Sequence, residues 1–206
     1  LHTGDFKLDG SPVVGERFDA EEWHRIAHEG DGIHVLVCDS TNVFKPHPGR
    51  SEATLAEPIR DLVAAQEGMV VATTFASNVA RLKTLAEAGV AAGRSVCLLG
   101  RAMRKMVTTA VETGVLTDFP ALVSPEEAAD IPRQNLMLIV TGSQGERRAA
   151  SAQLSRGKYL GLEMKEGDSF LFSSKTIPGN EAGVIRVMNA YSEMGVDVID
   201  DRDGLY

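Results

Sequence analysis

Leu136-Met137-Leu138-Ile139-Val140-Thr141-Gly142-Ser143-Gln144-Gly145-Glu146 is five apolar residues followed by a small, polar, glycine-bearing turn. An apolar run this short, without alternation, fits a strand covered on both faces. The turn behind it leads into a helical pattern. The same grammar recurs on either side: strands over Met69 to Phe75, Ser95 to Leu99, Ser169 to Phe172 and Val196 to Ile199, with helices between them. Helix starts are marked by Ser77 or Asn78 and by Gly100-Arg101. Ser124-Pro125-Glu126-Glu127 is a capping box with Pro in the first turn. Strand–helix alternation with apolar strands predicts an α/β domain, a parallel sheet with helices on both faces.

In such a sheet the turns at the C-terminal strand ends share one edge. Phe75-Ala76-Ser77-Asn78, Gly100-Arg101, Thr141-Gly142-Ser143-Gln144-Gly145 and Ser173-Ser174 all run toward helix starts. Free N–H groups and hydroxyls gathered there suit an anion such as phosphate. Capping of the helices accounts for each turn taken singly. Neither the P-loop nor the dinucleotide fingerprint is present.

The first fifty residues read differently. Asp19 with Glu22 starts a helix that ends at Gly30 or Gly32, with Trp23, Ile26 and Ala27 toward a core and His24 and His28 as solvated neighbours. Ile33 to Cys38 reads as a buried strand, closed by Asp39-Ser40-Thr41-Asn42. Asp39 is then either a turn-capping acid or an acid at an edge where α/β proteins place chemistry. His2-Thr3-Gly4-Asp5-Phe6-Lys7 has the form of a strand end with a carboxylate at its tip, either a metal ligand or a structural acid. The irregular Phe44 to Arg50 is the expected linker, giving domains 1–50 and 51–206. Ser51 starts a helix to about Gln66 that tolerates Pro58.

Composition narrows the partners. A net charge of −8 over 206 residues excludes a broadly basic nucleic-acid surface but leaves room for a local groove. No apolar run is long enough for a bilayer, and the polar opening is not expected to be a leader. Cys38 and Cys97 lie in apolar runs and read as buried, unpaired thiols, which suits a cytoplasmic protein.

Six ordered motifs carry a resemblance. They are His2 to Lys7, Asp39 to Asn42, Thr74 to Asn78, Gly100-Arg101-Ala102-Met103, Thr141 to Glu146, and Ile177-Pro178-Gly179-Asn180-Glu181. In this order they resemble the ribonuclease J family, metallo-β-lactamase-fold nucleases that carry a β-CASP domain. The resemblance implies a partial metallo-β-lactamase segment over 1–50 and a β-CASP domain over 51–206. It implies that Asp5 corresponds to the aspartate bridging two zinc ions, and Asp39 to a catalytic acid supporting that site. It also implies hydrolysis of RNA phosphodiesters, by endonucleolytic or 5′-to-3′ exonucleolytic cleavage. Single-stranded RNA would be held by the β-CASP part, with Ser77, Asn78, Ser143, Gln144 and Gly145 as the expected RNA or phosphate contacts. Arg101 and Arg104 either add local positive charge there or are simply solvated.

The family's His-x-His-x-Asp-His motif is absent, and none of His2, His24, His28, His34 or His47 replaces it. The sequence is therefore read as a piece of a longer protein. On that reading it binds no catalytic zinc by itself, has little or no nuclease activity, and exposes apolar edges that favour homo-oligomers. The competing reading is a non-catalytic phosphosugar- or nucleotide-binding Rossmann-like module, in which neither acid is needed.

Overall fold

The computed structural model describes residues 1–40, 43–44 and 49–200. Thr41, Asn42, His47 and most of the expected linker lie outside the described residues. The chain divides into two compact units, Leu1–Ala53 and Thr54–Tyr206.

In the first unit, helix α1 spans Ala20–His28. The Asp19 carboxylate accepts the N–H groups of Glu21 and Glu22 at 2.9 and 3.1 Å, satisfying two of the donors that every helix start leaves open. His24 and His28 are exposed, with ring centroids 4.3 Å apart. A single parallel bridge joins His2 to Val37.

Two expectations fail in this unit. Ile33 to Cys38 is not a buried strand: Val35, Leu36 and Val37 are 66, 58 and 50% exposed, and Cys38 is exposed too. Trp23 does not enter a core, being 43% exposed. The reason is common to both. Among the described residues, the segment paired to Val35–Val37 is three residues long, and none of this unit is buried. Apolar pattern licenses a buried strand only where two neighbours and two covering layers exist.

The second unit obeys its sequence closely. After a 3-10 turn at Glu52–Leu55, α2 spans Ala56–Ala64, with Pro58 in its first turn, where no N–H donor is needed. Then follow β1 Val70–Thr73, α3 Val79–Ala91, β2 Ser95–Leu99, α4 Arg101–Glu112, α5 Pro125–Ala128, β3 Leu136–Val140, α6 Ala150–Leu154, β4 Ser169–Phe172, α7 Glu181–Glu193 and β5 Asp197–Ile199. The five strands form one wholly parallel sheet in the order β2-β3-β1-β4-β5.

Strand side chains alternate between two cores. Val71, Cys97, Leu99, Leu138, Val140 and Phe170 meet α5, α6 and α7 on one face. Val70, Ala72, Val96, Leu98, Ile139 and Leu171 meet α2, α3 and α4 on the other. Helices thus cover both faces, as the unbroken apolar strands require. Ser124 and Glu127 close the expected capping box at 3.2 and 2.7 Å. The Ser124 backbone N–H, followed by its hydroxyl, holds the Glu127 carboxyl below its usual range.

The thiols diverge. Cys97 is fully buried, and desolvation pushes its pKa up from 9.0 to about 11. Because the folded value lies above the unfolded one, the stabilisation is present below pH 9 and is lost as pH rises toward 11. The part of this loss that belongs to Cys97, on the order of 2 kcal/mol, is expected as the difference between native protein and Cys97→Ala in urea titrations across that window. In parallel, a thiol reagent at pH 8 should label Cys38 at once and Cys97 only on unfolding. Equal labelling rates would contradict the burial of Cys97.

Candidate functional site at the C-terminal edge of the sheet

Strands β1 and β4 are neighbours, but their chains leave in opposite directions. From β1 the chain crosses through α3 to β2, and from β4 it crosses through α7 to β5, on the other side of the sheet. Such a switch of direction opens a crevice beyond the carboxyl ends of the two strands, where ligands of open α/β sheets bind. Thr73 is in register with Phe172, and its carbonyl accepts the Ser173 N–H at 2.9 Å. Thr74 and Ser173-Ser174 therefore stand at the mouth of the crevice.

Its walls are polar and buried. Arg81, 4% exposed, donates from Nη1 to the Ser173 hydroxyl at 2.8 Å and to the Ser173 carbonyl at 3.2 Å. Thr74 and Ser174 are also buried, and their hydroxyls have no hydrogen-bond partner. An unsatisfied buried hydroxyl costs roughly 1–3 kcal/mol, so a pair at one strand edge marks a place for a bound group or water. No motif marks Arg81 in the sequence. It is buried because it stands in the run Arg81 to Ala86 of α3, every residue of which is covered, whereas Glu87 in the same helix stays exposed.

The residues expected to touch RNA take different places around this edge. Asn78 is half-buried and caps α3, accepting the Arg81 N–H at 3.0 Å, while Ser77 beside it is exposed. Ser143 is buried. Gln144 reaches across to the β4–α7 loop: its Nε2 donates to the Lys175 carbonyl at 3.0 Å, and its Oε1 accepts from the Ile177 N–H at 2.8 Å and the Asn180 side chain at 3.1 Å. Gly145 has φ 71°, and a Cβ there would lie 2.2 Å from the Gly183 carbonyl carbon at the start of α7. The Thr141 to Gly145 turn thus locks the β4–α7 loop in place. The helix expected directly behind this turn begins only at Ala150. Arg101 and Arg104 are exposed at the start of α4.

Asp5 and Asp39 belong to the first unit. The His2 to Val37 bridge sets the register, so both acids follow the paired residues at the same end of two parallel segments. Asp5 is exposed and Asp39 half-buried. Among the described residues, no group of three or more His, Cys, Asp or Glu side chains could hold a metal ion. The two acids alone do not fit a zinc pair, since each zinc needs about four donors.

Comparison with known proteins agrees with the architecture. The family model "Ribonuclease J, beta-CASP domain" matches residues 67–191. The chain is 40% identical to a ribonuclease J of Sinorhizobium meliloti, over 100% of this chain and 36% of that protein. It is 35% identical to one from Corynebacterium glutamicum, over 98% and 28% of the two chains. It is 37% identical to one from Mycolicibacterium smegmatis, over 97% and 36%. The chain spans about a third of the length of these curated relatives. Among the described residues, no helix is long and apolar enough to cross a membrane. A wholly parallel sheet covered on both faces, a family match across most of the second unit, and 40% identity to a relative over the whole of this chain together assign it to the ribonuclease J family, with residues 67–191 forming its β-CASP domain.

Proposed function

We propose that the chain supplies the RNA-holding part of a ribonuclease, with single-stranded RNA crossing the C-terminal edge of the β-CASP sheet. The observation that carries this reading is the crevice between β1 and β4. There two buried hydroxyls lack partners, and a buried guanidinium stands behind them. Flexible single strands can present phosphate oxygens and unstacked bases to such an edge, whereas a duplex is too wide and stiff to follow it. Asn78, Gln144 and Gly145 shape this path, since each holds a helix start or a loop, and Ser77 and Ser143 border it. RNA phosphodiester hydrolysis, by endonucleolytic or 5′-to-3′ exonucleolytic cleavage, is the reaction this part serves. Zinc chemistry at Asp5 and Asp39 needs donors beyond these two carboxylates.

The test is fluorescence anisotropy with a labelled single-stranded RNA of about ten nucleotides, against the same sequence as a duplex. The single strand is expected to bind saturably, more weakly as salt rises, and more tightly than the duplex. Elemental analysis of the same sample is expected to find zinc well below stoichiometric, with no cleavage of the probe. Preference for duplex, or no saturable binding, sinks the RNA reading. Stoichiometric zinc with cleavage sinks the statement about the two acids.

A further inference from the structure

A cavity of about 310 Å³ opens beside the β4–α7 loop. This is the lower end of the roughly 300–1,000 Å³ typical of small-molecule sites. Phe172, Val184, Ile185 and Met188 give it apolar walls. Ser174 lines it as well, and the Ser174 side chain is the one whose buried hydroxyl has no partner.

The start of α7 lies here, and a helix start favours an anion. The side chains argue otherwise. Glu181 and Asp200 both border the cavity, against the single ammonium of Lys175. The Glu181 carboxylate, which accepts the Gly179 N–H at 2.8 Å, already sets a negative charge at the start of α7. Two carboxylates repel phosphate but accept N–H donors well. Apolar walls, carboxylate acceptors and one unsatisfied hydroxyl describe a flat, neutral ligand with amino groups on its edge.

We propose that this cavity takes a nucleobase carrying an exocyclic amine, splayed out of single-stranded RNA. The choice of ligand rests on the RNA reading above. Single-stranded RNA is commonly read this way, with a base packed on apolar side chains and its edge hydrogen-bonded. The phosphates of the strand remain outside, at the Thr74 side of the crevice, while the Ser174 hydroxyl, which lines the cavity, serves the base. The two surfaces divide the recognition of one strand between backbone and base.

The experiment is calorimetric titration of the 206-residue chain with cytidine, adenosine, uridine and inorganic phosphate. Cytidine and adenosine are expected to bind saturably and more tightly than uridine, and phosphate not at this cavity. Ser174→Ala should weaken cytidine and adenosine about five- to tenfold, the loss of one net hydrogen bond. Ile185 is 53% exposed, so Ile185→Ser leaves folding intact and should weaken the same two nucleosides about threefold through lost apolar contact. Ser155→Ala, far along the chain from the cavity lining, should change nothing. Absence of saturable nucleoside binding leaves Ser174 to an ordered water and overturns the proposal. So does unchanged binding in both cavity variants, or phosphate competing with the nucleosides. If the RNA probe binds while no nucleoside does, the cavity assignment falls and the RNA reading stands. If nucleosides bind and RNA does not, the cavity takes a free nucleoside, and both the RNA reading and the splayed base fall.

Discussion

Replacing Asp168 by alanine is expected to lower the unfolding free energy by about 3–5 kcal/mol, the range for breaking a buried ion pair from one side. Asp168 is 1% exposed and serves three segments at once. Its carboxylate accepts the Met69 N–H at 3.0 Å, just before β1, and the Lys165 N–H at 2.8 Å, on the approach to β4. It also takes two bonds from the Arg133 guanidinium, ahead of β3, with Nε at 3.1 Å. Alanine leaves two backbone donors and a guanidinium without their acceptor, and such loss exceeds the net worth of the bonds themselves. Asp168→Asn keeps the shape and removes the charge, so its cost should fall between wild type and Asp168→Ala. Urea unfolding of the three proteins checks the order. These contacts lie at the N-terminal edge of the sheet, so folded Asp168→Asn should bind RNA as wild type does. A cost below about 1 kcal/mol for Asp168→Ala would show that water replaces the carboxylate.

The second large effect belongs to Gly145. Gly145→Ala is expected to cost about 2–5 kcal/mol and to remove most RNA binding. Two terms add. A left-handed conformation at φ 71° costs an alanine roughly 1–2 kcal/mol. The new methyl would also stand 2.2 Å from the Gly183 carbonyl carbon and 2.5 Å from the Val184 nitrogen, and backbone cannot step aside as a side chain can. Overpacking of this kind costs typically about 1–3 kcal/mol. Gly93 provides the control: its φ is 72° and nothing lies within 4 Å of an added Cβ. Gly93→Ala should therefore show the conformational cost alone. If the two substitutions cost the same by urea unfolding, the contact between the Thr141 to Gly145 turn and α7 is not what Gly145 provides. Displacing α7 would pull Lys175, Ile177 and Asn180 from Gln144, which is why binding should fall along with stability.

Much of the second unit was legible because its signals are local. Ser124 and Asn78 cap helices by bonds that close within four residues, and neither needs the rest of the fold. The apolar runs at Leu136–Val140 and Ser95–Leu99 became strands over those same residues. The site was less legible. Gln144 reads as a polar turn residue that could meet a ligand, yet its amide holds Lys175, Ile177 and Asn180, more than thirty positions away. Arg81 reads as an ordinary helix arginine, yet it is buried against Ser173, separated from it by 92 positions.

The amino-acid sequence alone determined the order of the strands and most helices of the second unit, that the strands lie parallel beneath helices, and which turns gather on one edge. It could do so because caps, turns and apolar periodicity are settled among near neighbours. Tertiary structure alone decided what is covered. Ile33 to Cys38 and Leu136 to Val140 are similarly apolar, but the first stays largely exposed and the second is wholly buried. It also decided that Thr74 and Ser174 keep buried hydroxyls without partners and that Gly145 admits no side chain. Burial and close approach depend on which distant segments arrive at a place, and no window of neighbouring residues contains that information.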